Sequence, residues 1–318
     1  MKRDNGFLVL DDIFNIDSTK SFIELYNSLS DNSNVYIVKH CYSPYEQLVF
    51  YFIYNKEKYY FKYDSFASCY NELIAEEIAS DLNIPHLHYE LAKIGQFQGV
   101  ISKDYKKQGV KYISGYEFLR KYYGKYPDET LVNNLHIIWF KLEDYYKDRD
   151  NMQEIVSNLM KKLVDIFLFD ILTGQLDRNC DNWEIVEYPD GTVDLNILFD
   201  NTRMIIDPPA SIRLALTVEP ANNLLDTNIN SFQRLSSSEF SHLLPDRLWV
   251  INRENIEKIF EIIAAKTGAP IPKDIKKKMF YSFQLQLDFI MKTLNITEIS
   301  IPNKNIGLKW VDIYFYFI

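Results

Sequence analysis

Asp170-Ile-Leu-Thr-Gly-Gln-Leu-Asp177-Arg178-Asn179-Cys180-Asp181-Asn182-Trp183, resumed at Ile197-Leu198-Phe199-Asp200-Asn201, is the stretch on which the fold turns. Asp177 follows a long apolar run, Asn182 comes five residues later, and Asp200 ends a second apolar segment. Between residues 183–187 and 193–199 lies Pro189-Asp190-Gly191, the composition of a tight turn, so the flanking pieces read as strand, turn, strand. Phosphoryl transfer needs this set of groups. One carboxylate orients and deprotonates the attacking hydroxyl, while an amide oxygen and a second carboxylate hold the magnesium ions that bridge the nucleotide phosphates. The order D-x-x-x-x-N, hairpin, apolar-flanked Asp is that of kinase catalytic and metal-binding loops. Taken alone, the loop reads more readily as a helix cap and turn, because Asp and Asn are common there. The residues upstream shift that balance.

Working outward, residues 35–39, 47–54 and 58–63 are rich in Val, Ile, Tyr and Phe, and the turn at 55–57 makes the last two a hairpin. Ile74, Ile78 and Leu82 recur every four residues, which predicts an amphipathic helix over 70–82 that stops near Asn83 and Pro85. Residues 87–94 and 99–102 add strands. Beyond about 105 the pattern turns helical, over 115–123, 129–146, 152–173, 238–244, 253–267 and 272–294, with Asn252 as a start and Gly268 as a stop. The expectation is an α+β, two-lobed protein-kinase-like fold. Its β-rich N-terminal lobe spans 1–104 and its α-helical C-terminal lobe spans 105–318, with a cleft between them. Lys62, near the end of its strand, is placed to meet phosphates, and Glu72 in the next helix is its natural ion-pair partner. The bland reading of Lys62, a solvent-facing strand lysine, is equally open at this point.

Bulk properties exclude several classes. The 318 residues are 47% hydrophobic, enough for a sizeable core, and Gly and Pro are scarce. A net charge of −9 disfavours direct nucleic-acid binding through a broad electrostatic surface. Cys41, Cys69 and Cys180 form neither a zinc pattern nor a disulfide framework. No run of about 18 apolar residues occurs, so no transmembrane segment is expected, and the reading is a cytoplasmic protein. The apolar residues 310–318 read as a tail docked on the helical lobe.

The string L-D-R-N-C-D-N-W followed by L-F-D-N-T resembles HipA-like serine/threonine kinases, whose motif runs roughly N-x-D-R-H-x-x-N-W-G and then P-L-Y/F-D-N-G. The strand lysine, the N-E of the next helix and the L-N-I-P after it are similar to that family too. The resemblance implies ATP and Mg2+ as cofactors and a serine or threonine in a protein substrate as acceptor. An antitoxin partner is a further implication. Residue by residue, it implies Asp177 as base, Asn182 and Asp200 as metal ligands, Lys62 on the phosphates, and Lys103 to Tyr105 as the hinge beside adenine. It also places Ser43 in the short phosphate-loop turn, where the family's serine can be autophosphorylated. This chain departs from the pattern with Gln175 for Asn, Asn179 for His, and Glu184 and Thr202 for Gly; it also lacks the loop glycine beside Ser43. A secondary resemblance, carried by Asp181-Asn182-Trp183, is to type II phosphatidylinositol 4-kinases. A lipid kinase, a nucleotide-binding pseudokinase and a non-enzymatic scaffold therefore stay open as alternatives.

Overall fold

The computed structural model describes residues 2–14, 19, 21–41, 47–64, 69–124, 135–175, 178–202, 204, 245–301 and 304–309. Ser43, Asp177, the expected helix at 238–244, the first six residues of the helix expected at 129–146 and the tail at 310–318 lie outside them.

The first part of the chain folds as β1 (Lys2–Asp4), β2 (Phe7–Val9), α1 (Asp11–Phe14), α2 (Phe22–Ser30), β3 (Val35–Cys41), β4 (Gln47–Tyr54), β5 (Glu57–Asp64), α3 (Cys69–Asp81), β6 (Glu90–Ile94) and β7 (Phe97–Lys103). Its strands make one seven-stranded sheet in the order β1-β2-β6-β7-β5-β4-β3. All pairs are antiparallel except β2 with β6. The β4–β5 hairpin turns at Asn55 and Lys56, both at positive φ, as a two-residue turn matching strand twist requires. Strand alternation then sorts the side chains. Leu48, Phe50 and Phe52 of β4 and Phe61 of β5 enter a core closed by Leu25 and Leu29 of α2. Phe14 stands edge-on against Phe50 and Phe52, with ring centroids 5.6 and 5.0 Å away. Each such aromatic contributes about 1.5–3 kcal/mol through burial. Lys62, one residue beyond Phe61, is turned to the other face of the sheet, opposite Val49.

α3 departs from the amphipathic expectation. Ile74 and Ile78 are buried, but so are Asn71, Glu72 and Glu76, because the helix packs both on the sheet strands and on a later helix. Its polar side chains are therefore enclosed by protein and bonded there.

The second part contains β8 (Lys111–Ser114), α4 (Gly115–Tyr123), α5 (Leu135–Tyr146), α6 (Met152–Thr173), β9 (Glu184–Glu187), β10 (Val193–Leu195), α7 (Arg253–Thr267), α8 (Lys273–Leu294), β11 (Glu298–Ile301) and β12 (Lys304–Lys309). β8, β9 and β10 form a small antiparallel sheet. Ser114 starts α4 with a capping box to Glu117, Asn252 caps α7, and Gly268 at φ +75° ends it. α6 is buried along most of its length and carries the chain to the loop that holds Arg178 and Asn182. Among the described residues no helix is long and apolar enough to cross a membrane.

Two expected strands are shorter than their apolar runs. The strand expected over 193–199 stops at Leu195; after one more in-register bond, from the Asn196 N–H to the Glu184 carbonyl at 2.8 Å, β9 ends and the backbone at Leu198 pairs with the segment 85–87 instead. The strand expected over 87–94 begins only at Glu90; the residues before it run beside Leu198 instead. The Leu87 N–H donates to the Leu198 carbonyl at 2.8 Å, and the Leu198 N–H to the Pro85 carbonyl at 2.7 Å. This bridge brings Asp200 under the sheet.

Candidate active site

β5 supplies the cation. Lys62 Nζ lies 3.2 Å from Glu72 Oε1, pairs with Asp200 Oδ1, and donates to Thr202 Oγ1 at 3.0 Å. The strand, the helix that follows it and the segment at 200–202 are thus joined at one ammonium. Glu72 has no exposure to solvent, and its second oxygen accepts the Asn201 N–H at 2.8 Å. Burial alone would lower the Lys62 pKa, but Asp200 and Glu72 outweigh it and hold the ammonium well above its ordinary value. Burial raises Glu72 against the opposing pull of Lys62. Burial works the same way on Asp200, yet there Lys62 prevails and the carboxyl falls below its usual range.

Asp200 has φ +57°, in the left-handed region that non-glycine residues seldom occupy. A chain so bent cannot continue a strand, and its backbone polar groups are met by side chains instead. The Phe199 carbonyl accepts from Arg178 at 2.8 Å, the Asp200 N–H donates to Tyr89 Oη at 3.3 Å, and the Asp200 carbonyl accepts from Gln175 at 2.9 Å. Asn71 Nδ2 donates to the carbonyls of Thr202 at 2.7 Å and Met204 at 2.8 Å. Adjacent α3 residues, Asn71 and Glu72, therefore grip this segment from one side while the loop after α6 grips it from the other.

That loop is organised by Arg178, fully buried against Asp170 of α6. Burial pushes the Asp170 pKa up to about 6, and the Arg178 guanidinium beside it opposes the rise. The Asn179 side chain caps the Asp181 N–H at 2.9 Å, shaping the turn that carries Asn182. Here Asn179 does the work of a turn residue, which its substitution for His leaves intact.

At the start of the same segment, Tyr105 stacks on Phe199, the residue before Asp200, with centroids 6.0 Å apart. Its hydroxyl donates to Glu184 Oε2 at 3.0 Å. Lys106 and Asn196 also bond the Glu184 carboxylate, at 2.9 and 2.7 Å. Glu184, standing where the related motif has Gly, is thus a buried anchor for the segment after β7. Lys103 is not brought to the cluster. Its register with Tyr59 puts its side chain on the face opposite Lys62, where it pairs with Glu57 at 2.9 Å.

Lys62, Glu72, Asp200 and Tyr105 are thus gathered along the segment 199–202, with Asn182 joined to it through Arg178, while Ser43 and Asp177 fall outside the described residues. Reasoning from sequence missed Asn71, Tyr89, Asp170 and the role of Arg178. For Asn71 and Asp170, a polar residue inside a helix was the available signal; Tyr89 and Arg178 lie outside helices and strands, where polarity is ordinary. The donor set suits magnesium with nucleotide. Asn182 and Asp200 offer hard oxygen ligands, few enough that phosphates and water would complete an octahedron, and Lys62 adds a cation for the phosphates.

Solved structures share this architecture. The proinflammatory kinase CtkA of Helicobacter pylori superposes with a TM-score of 0.52 at 16% identity, over 78% of this chain and 92% of that one. HipA of Shewanella oneidensis MR-1, from a toxin–antitoxin complex with HipB and operator DNA, gives 0.52 at 11% identity, over 89% of this chain and 74% of that one. The chain has a HipA-like kinase fold. Neither the protein-family models nor the curated protein sequences give a match to it. The HipA-like likeness therefore lies in the shape of the chain, with its sequence largely diverged.

Proposed function

We propose that the chain is an ATP- and Mg2+-dependent phosphotransferase, and within that class a serine/threonine protein kinase of the HipA-like kind. The observation that carries this reading is the meeting of Lys62, Glu72 and Asp200. Three residues spread over 138 positions converge with the charge pattern that nucleotide phosphates and a metal require. The kinase-like fold of both solved neighbours supports it.

In this reading Lys62 neutralises phosphate charge and Glu72 keeps its ammonium in place as the nucleotide arrives. Asn182 and Asp200 would hold the metal, which supplies charge neutralisation across the phosphates. Asp177 orients the acceptor hydroxyl and takes its proton. Tyr105 and the hinge backbone at 103–105 border the base, and Ser43 belongs to the loop over the phosphates. Lobe boundaries at 1–104 and 105–318 belong to the same proposal, as does a protein partner of the antitoxin kind.

Transfer of radiolabelled γ-phosphate from ATP tests it, with the chain itself, protein substrates and phosphoinositide vesicles as acceptors. Wild type is expected to label protein on serine or threonine, and Asp177→Ala and Asp200→Ala are expected to abolish labelling. Labelling of vesicles alone would replace the protein-kinase reading with a lipid-kinase one. Activity that survives both substitutions would remove the mechanism.

A further inference from the structure

We infer that Arg178 is a positioning residue that locks the two metal-binding arms of the site to each other and to α6. The inference rests on the phosphotransferase reading for its functional meaning, although the geometry stands by itself. Arginine presents five N–H donors in a rigid planar fork. Here every one of them has an acceptor. Nε–H is shared by both oxygens of Asp170 at 3.3 and 3.2 Å, and Nη2 donates to Asp170 Oδ1 at 3.1 Å and Asn201 Oδ1 at 2.7 Å. Nη1 donates to the carbonyls of Asn182 at 3.1 Å and Phe199 at 2.8 Å.

The last pair matters most. A single nitrogen bonds the backbone of Asn182, the amide arm, and the backbone of the residue before Asp200, the carboxylate arm. Those two carbonyls are therefore held within two hydrogen-bond lengths, although they come from different loops. Asn201, on the far side of Asp200, is held by the other terminal nitrogen. The guanidinium so brackets Asp200 at its preceding carbonyl and its following side chain, and Asp170 fixes the guanidinium itself. Neither Arg178 nor Asp170 is exposed enough to meet a substrate, so both act through the residues they hold. A lysine at position 178 would keep the charge but offer one nitrogen, unable to reach both arms and Asp170 together.

The experiment compares wild type, Arg178→Lys and Asp170→Asn in the full chain. Hydrogen exchange of the ligand-free protein is the first measurement. Amides of residues 199–202 are expected to exchange at least tenfold faster in Arg178→Lys, with those of α3 and the middle of α6 unchanged. Calorimetric titration of ATP with and without Mg2+ is the second. The gain in ATP affinity that Mg2+ confers is expected to fall about tenfold in both variants, while Mg2+-free affinity holds. Loss of folded protein would scale the amplitude of binding without moving its midpoint, which separates positioning from mere stability. Unchanged exchange at 199–202 together with a wild-type Mg2+ gain would overturn the inference. If wild type itself shows no Mg2+-dependent ATP binding, the phosphotransferase reading fails, while the exchange result still judges the bracket.

Discussion

Lys62 and Glu72 meet at 3.2 Å on the inner side of the sheet, and the glutamate that makes the contact is wholly enclosed. Its other oxygen receives the Asn201 N–H, so one carboxylate serves both the Lys62 ammonium and the segment that carries Asp200. Glu72→Ala is expected to destabilise the fold by about 2–4 kcal/mol, because it leaves the buried Asn201 N–H without its acceptor and Lys62 with Asp200 as its remaining carboxylate partner. Glu72→Gln keeps an acceptor for Asn201 and is expected to fold more stably than the alanine variant. It should still lose roughly 100-fold in phosphate transfer as Lys62 swings wholly onto Asp200. Urea unfolding and γ-phosphate transfer on both variants check the split; equal activity in Glu72→Gln and wild type would refute it.

Lys62 itself exposes a limit in what the sequence conveys. Removing its charge leaves Glu72 and Asp200 as close carboxylates with no cation between them. Lys62→Met is therefore expected to raise the pKa of one of them and to abolish Mg2+-stimulated ATP binding. Calorimetry at pH 7 measures this. Retained ATP affinity in Lys62→Met would place the phosphates elsewhere.

The β4–β5 hairpin, α6, α7 and α8 were readable because period, caps and turn residues are local signals. α2 was not anticipated, although Ser21 and Glu24 form the capping box that starts it. β1, β2 and β8 are three or four residues long and gain meaning only from partners far away in sequence. The early end of β10 escaped for the same reason. An apolar run cannot announce that its backbone will be bonded by Arg178, Gln175 and Tyr89. The Lys103 side chain stands apart from the cluster because strand parity puts it on the face opposite Lys62, which leaves only its backbone to take part in a hinge at 103–105.

Gly99 shows how closely β7 approaches β5 beside the reactive lysine. A Cβ there would lie 2.2 Å from the Lys62 carbonyl oxygen, a backbone atom with no freedom to retreat. Gly99→Ala is expected to cost about 1–3 kcal/mol through forced separation of the strands. It should also weaken ATP binding, because Lys62 shifts with its own backbone. Urea midpoints and calorimetry read both effects, and an unchanged midpoint would mean that the strands are not so close.

One turn further along α3, four residues beyond Glu72, Glu76 accepts from His88 Nδ1 at 2.7 Å and from the Tyr89 N–H at 2.9 Å. Lys266 of α7 reaches the same carboxylate at 3.3 Å and also pairs with Glu77. Glu76 raises the His88 pKa above its ordinary 6.5. Burial would raise Glu76, but His88, the Tyr89 amide and Lys266 together lower it below 4.5. The signs follow from linkage. A raised histidine gives stability that is full below pH 6.5 and lost as pH climbs through its folded value; a lowered glutamate gives stability that is full above pH 4.5 and lost in acid. The pair therefore contributes most between those limits. Because His88 is largely open to water, the contribution is expected to stay within about 1 kcal/mol. Urea unfolding of wild type and His88→Gln should differ most near pH 5.5 and converge by pH 8. A gap that widens toward pH 8 would show that His88 acts as a neutral hydrogen-bond donor and that its charge plays no part.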